Sequence, residues 1–220
     1  MTNMLLPELE SSLRATDGGC WLIHNPLIVQ YYVPGEETGI NQNYVAKRDR
    51  VAEMEADGDW SMYLWLHERA YRIGAFDRIK DQMSDKEYWE MLGLVYTDQE
   101  IVHHQWPKLR KLLQSPRPHR EFIMSEEDRA IFADLPEELS LFRGFCRGNG
   151  KGWSWTLEED TAIWFANRLA ISGSRPSLLV GTAMKKDTIA YFGERDENEI
   201  LIDPERVTVV EKRRLESELE

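Results

Sequence analysis

Residues 197–202 read Glu197-Asn198-Glu199-Ile200-Leu201-Ile202. An apolar run of this length, closed by the turn-forming pair Asp203-Pro204, predicts a buried strand. In a strand, residues i and i+2 face the same side, so Glu197 and Glu199 are expected to look into one site together. Two like charges held that close repel, and a cationic group is expected opposite them. Working outward, similar short apolar runs occur at 139–142, 153–156, 178–183, 189–192 and 207–210. Turn signals such as Gly148-Asn149-Gly150 and Ser172-Gly173-Ser174 separate them. One helix interrupts the series at about 158–170, with Ala162, Phe165, Ala166 and Leu169 on one stripe.

Before Pro136 the period is helical. Met62, Leu66 and Ile73 fall at helix-like intervals, and Ser84-Asp85-Lys86-Glu87 predicts a capping box. A further helix is expected over 98–113, stopping before Ser115-Pro116, and Ser125-Glu126-Glu127-Asp128 caps a short one ending near Leu135-Pro136. The apolar run 20–33, followed by Pro34-Gly35 and Gly39, reads as a short strand or extended arm. Helices followed by strands give an α+β fold class. The expected organisation is a mostly helical region 1–135, a β-rich core 136–212 and a charged tail 213–220.

The chain of 220 residues carries 42% apolar and 30% charged residues, the balance of a folded, aromatic-rich protein. A net charge of −12 argues against gripping nucleic acid with the whole surface. Residues 101–120 nevertheless hold Lys108, Arg110, Lys111, Arg117 and Arg120 without one acid. A solvated helix face is the plain reading of such a run, and a patch for a polyanionic partner is the sharper one. No stretch approaches a membrane span and the first residues lack a basic signal region, so a cytoplasmic location is expected. Cys20 and Cys146 are read as free thiols. Adjacent His103 and His104 cannot easily share a metal on a helix, and no metal is expected. Gly148-Asn149-Gly150-Lys151-Gly152 lacks the Ser/Thr of a phosphate-binding P-loop, although Arg147 and Lys151 there are candidates for helping to hold phosphates. No Gly-x-Gly-x-x-Gly fingerprint is present.

Three groups remain to be joined. Leu141-Phe142-Arg143-Gly144 is an apolar strand that ends by delivering an arginine, and Ser154-Trp155-Thr156 carries two hydroxyls on one face. With Glu197-x-Glu199 they form an ordered series of cation, hydroxyl pair and carboxylate pair. A carboxylate stabilises the oxocarbenium-like sugar formed when a nicotinamide–ribose bond breaks, and a guanidinium holds a diphosphate. A second carboxylate can orient an incoming nucleophile. The series resembles the mono-ADP-ribosyltransferases, whose motif order is Arg, Ser-x-Ser/Thr, Glu-x-Glu. The resemblance covers roughly residues 139–210.

That resemblance implies a split β-sheet core and NAD as substrate. It makes Arg143, with Gly144, the strand-end arginine that binds NAD, and Ser154 and Thr156 the first and third residues of the serine strand. Phe165 is implied to pack on nicotinamide, Glu199 to support cleavage and Glu197 to face the acceptor. This sequence carries Trp155 and Thr156 where the family has Thr and Ser, and Glu194 where many relatives have an aromatic. Glu rather than Gln at 197 implies an arginine acceptor on a host protein, and the chain also resembles phage and prophage proteins. The activity implied is that of a glycosyltransferase acting on a macromolecular acceptor, a protein first and nucleic acid second. An NAD glycohydrolase and a non-catalytic binding module that keeps the fold are the alternatives.

Overall fold

The computed structural model describes residues 4–98, 105–146, 149–168, 170, 175–193 and 197–215. The expected acceptor-loop residues 194–196 lie outside that range, as do His103, His104, Arg147, Gly148, Leu169 and the turn 172–174. The architecture is α+β, with two antiparallel sheets. The chain divides into two compact units, one ending at Arg117 and one beginning at Pro118.

The first unit opens with helix α1 (Pro7–Glu10) and the three-stranded sheet β1 (Leu13–Ala15), β2 (Trp21–Asn25) and β3 (Ile28–Tyr32). The run 20–33, expected as one strand or arm, is therefore a hairpin. Its turn falls at Asn25-Pro26, a turn-forming pair inside the apolar run, where the Asn25 side chain accepts from the Leu27 N–H at 3.0 Å. One face packs Ile23 and Ile28 with Leu9, Leu27, Ile40 and Tyr44. Helix α2 (Glu37–Asp57) takes in Gly39, which had been expected as a turn residue, and ends on Gly58 at φ +70°. That left-handed position is one that glycine fills without a Cβ clash.

Helices α3 (Trp60–Leu66), α4 (Arg72–Ile79), α5 (Asp85–Asp98) and α6 (Trp106–Leu113) build the rest of the unit. The capping box is formed as expected: the Ser84 N–H donates to Glu87 at 2.9 Å, and the Glu87 N–H returns to the Ser84 hydroxyl at 3.3 Å. Tyr88 stacks edge-on against Phe76 and Trp89, and all three are buried. The helix expected over 98–113 begins only at Trp106, with Pro107 in its first turn, where the missing N–H costs nothing. His67 is 2% exposed. Its Nδ1–H donates to the Tyr63 carbonyl at 2.8 Å, and its Nε2 accepts from Arg78 at 2.9 Å, because a guanidinium can only donate. Burial pushes its pKa below the ordinary histidine value, and the Arg78 and Arg72 charges add to the shift.

The second unit holds helix α7 (Glu126–Asp134), strands β4 (Glu138–Phe145) and β5 (Ser154–Thr156), and helix α8 (Glu159–Arg168). Strands β6 (Ser177–Met184), β7 (Thr188–Phe192), β8 (Glu199–Ile202) and β9 (Thr208–Arg214) complete it. The six-stranded sheet has the order β7-β8-β5-β4-β6-β9. The change of period at Pro136 marks a change of secondary structure, and the division between units falls earlier, at 117/118. Residues 118–135 join the β-rich unit: Asp128 of α7 accepts from the Gly193 N–H at 2.9 Å, and Arg120 donates to the Thr188 carbonyl at 3.3 Å. β9 runs on to Arg214, so the expected tail begins later than 213. Among the described residues it is an edge strand paired to β6 alone, and it accommodates Glu211, Lys212, Arg213 and Arg214 without burying them.

Within this sheet β4 and β5 meet at a single register pair, Phe142 with Thr156. By contrast β4 pairs with β6 along its whole length. The contact between β4 and β5 is therefore a seam, with three strands on either side of it.

Candidate functional site

A cleft of about 250 Å³ opens along the seam. Phe142, Arg143 and Gly144 of β4 line one side and Ser154, Trp155 and Thr156 of β5 the other. Ala162 and Phe165 of α8 cover it, and Glu197 and Glu199 close it. All seven site residues expected from the sequence (Arg143, Gly144, Ser154, Thr156, Phe165, Glu197 and Glu199) thus border one cavity of the second unit.

The cross-strand register explains part of this convergence. Phe142 pairs with Thr156, and Thr156 with Glu199, so these side chains form one row on one sheet face. Gly144 lies two residues on, on the same face. A Cβ there would come within 1.7 Å of the Ala162 carbonyl oxygen, a backbone atom of α8. The role of Gly144 is to let α8 press onto the strand, which brings Phe165 over the cleft. Phe165 is half-buried, whereas its neighbours Ala162 and Ala166 are buried, so the ring is not a core residue.

Arg143 stands one step along β4, opposite Leu179, and alternation turns it away from the Glu199 row. It reaches the cavity at the seam, where Nη1 donates to the Ser154 carbonyl and Nη2 to the Asn149 carbonyl at 3.0 Å. Gly152 makes room for this, since a Cβ there would meet the guanidinium at 1.9 Å. Among the described lining residues Arg143 is the cation of a cleft that Glu197 and Glu199 also border. Ser154 is exposed into the cleft, while Trp155 is buried and donates Nε1–H to the Gly152 carbonyl at 3.1 Å.

The glutamate pair is not brought together by strand alternation. β8 begins at Glu199, and Glu197 precedes it. Between them Asn198 adopts φ +44°, a left-handed conformation that Asn tolerates better than most residues. The Tyr191 hydroxyl donates to Asn198 Oδ1 at 2.6 Å, and Asn198 Nδ2 donates to Glu158 at 2.5 Å. Burial, with the Asp128 and Glu158 charges, holds the Tyr191 phenol above its ordinary pKa, so it remains a donor. Thr156 directs its hydroxyl to the Glu197 carbonyl at 2.8 Å while accepting from the Glu158 N–H at 3.1 Å. Thr156 therefore braces the glutamate segment. Glu158, Tyr191 and Asn198 did not stand out in the sequence as site residues. The available signal was an Asn, a residue that favours positive φ, lodged between two carboxylates.

Elsewhere, the basic run is largely engaged by groups of its own unit. Lys108 pairs with Asp77 at 3.0 Å, and Arg117 bonds the Met83 and Lys80 carbonyls at 3.0 Å. A groove of about 700 Å³ over Lys80, Lys108 and Lys111 is shared with Asp77 and Asp81. Cys146 is buried, with its thiol against the Ala166 carbonyl at 3.3 Å, and Cys20 is exposed; both are free thiols. Among the described residues no group of three metal-ligating side chains occurs, and no helix is long and apolar enough to cross a membrane. Comparison with protein-family models, with curated proteins and with solved structures returns no match.

Proposed function

We propose that the chain is an NAD-dependent mono-ADP-ribosyltransferase with a split β-sheet core of that type. The observation that carries the reading is the meeting of the Arg, Ser-x-Thr and Glu-x-Glu groups at one cleft, on the adjacent strands β4, β5 and β8 and the turn that leads into β8. The single register pair between β4 and β5 supports the split character of the core.

A cleft of about 250 Å³ suits the nicotinamide and its ribose, with the rest of the dinucleotide lying along the open edge. Phe165 offers the ring a stacking face, and Ser154 offers the ribose a hydroxyl. The bond from ribose C1′ to the nicotinamide nitrogen breaks, and nicotinamide leaves as a neutral base with the bonding pair. The sugar cation left behind faces Glu199, and a carboxylate aimed at developing charge in a half-buried site is worth more than in water. Glu197 then orients or deprotonates the acceptor that attacks C1′. Arg143 faces the diphosphate with its charge and with the guanidinium N–H groups not committed to the Ser154 and Asn149 carbonyls, two of its five donors being used there. The acceptor is taken to be a protein side chain, with arginine first.

Incubation with labelled NAD and lysate tests this. Wild type should release nicotinamide and label a macromolecule. Glu199→Ala should abolish release, and Glu197→Ala should lose transfer while retaining hydrolysis. Release by Glu199→Ala at the wild-type rate overturns the assignment, and free ADP-ribose without labelled acceptor turns it into a glycohydrolase.

A further inference from the structure

We infer that Asn198 is a positioning residue that fixes Glu197 and Glu199 on the same wall of the cleft through a clamp made with Tyr191 and Glu158. The inference rests on the NAD reading for its chemistry and on the clamp for its mechanism.

Two carboxylates at one cavity repel, and the pleat of a strand does not bring this pair together, since Glu197 lies outside β8. What joins them is the turn at Asn198, and both the oxygen and the nitrogen of that residue's side-chain amide are bonded. Oδ1 accepts from Tyr191 of β7, and Nδ2 donates to Glu158, the residue just before α8. Its main-chain carbonyl accepts from the Leu157 N–H at 3.1 Å. One residue earlier, the Glu197 carbonyl is held by Thr156 of β5. The turn is thus tied to β5, to β7 and to the segment 157–158 that leads into α8.

The chemistry at the centre of the clamp requires an amide. Facing a phenol on one side and a carboxylate on the other, the group must accept from the first and donate to the second. Glycine would keep the left-handed backbone and lose the clamp. Aspartate would keep the backbone and the Tyr191 bond but set a second carboxylate against Glu158. Exchanging the two functional groups, with glutamine at 158 and aspartate at 198, restores a donor and an acceptor in reversed order.

The full-length chain is compared as wild type, Asn198→Gly, Asn198→Asp and the Glu158→Gln/Asn198→Asp double variant. The rate of nicotinamide release from NAD is measured beside hydrogen exchange of the Leu157 amide, which reports the turn without catalysis. Asn198→Asp and Asn198→Gly should lower kcat ~10- to 100-fold with KM changed by less than about twofold, as expected when reacting groups are displaced by about 1 Å. Leu157 should exchange faster in both single variants, and the double variant should recover both readouts. Wild-type exchange and wild-type kcat in Asn198→Asp overturn the inference, as does a folded double variant that recovers neither. If the wild type releases no nicotinamide, the NAD reading falls, and Leu157 exchange still decides whether the clamp exists.

Discussion

Two glycines at the seam do opposite jobs, and substitution separates them. Gly144 faces backbone that cannot move aside, so Gly144→Ala should force α8 off the sheet and cost about 3 kcal/mol or more, read as a lower urea midpoint. Gly152 faces the end of a flexible side chain, so Gly152→Ala should displace the Arg143 guanidinium, weaken the proposed NAD binding and leave the unfolding free energy from urea titration within about 0.5–1 kcal/mol of wild type. Equal losses of stability in the two variants would contradict this division. That Arg143, Ser154, Thr156, Glu197 and Glu199 belong together was legible in the order of residue types along the sequence, and all five border one cleft. Their means of assembly was not. Glu197 and Glu199 suggested a pleated strand, but a left-handed Asn198 joins them, and its partners are Tyr191 on the neighbouring strand and Glu158, forty residues upstream.

At the scale of elements, local signals were read well where they act locally. The Ser84–Glu87 box begins α5 where expected, and Ser84→Ala should lower stability by about 1 kcal/mol, measured by denaturant unfolding. Strands β4 to β8 follow the apolar runs that announced them. Legibility failed where apolar residues surround a turn. The β2–β3 turn carries the turn-forming pair Asn25-Pro26, but it stands inside an apolar run that reads as continuous. The start of α6 at Trp106 had a visible cue in Pro107, which belongs in a first turn rather than mid-helix. The division at 117/118 was hidden for another reason. Asp128 and Arg120 bind the β-rich unit through carbonyls and amides, contacts that leave no hydrophobic period.

For the molecule as a whole, His67 couples folding to pH. It is buried and neutral in the fold, but an unfolded histidine titrates near ~6.5. Below that value the unfolded chain binds the extra proton, so stability present above ~6.5 is lost as the pH falls. Urea midpoints should therefore drop between about pH 8 and about pH 5.5, and His67→Gln should flatten the slope in that window. A wild-type slope unchanged by the substitution would assign the dependence to another group. The outer strand β9 has a consequence for behaviour at high concentration. It leaves a row of unpaired peptide groups on one side and exposes Val209 and Val210, at 48% and 64%. Such a strand is a template onto which another copy could stack, and the Glu211-Lys212-Arg213-Arg214 segment places charge along it. Those four side chains are placed as gatekeepers of colloidal stability, which keep crowded copies dispersed.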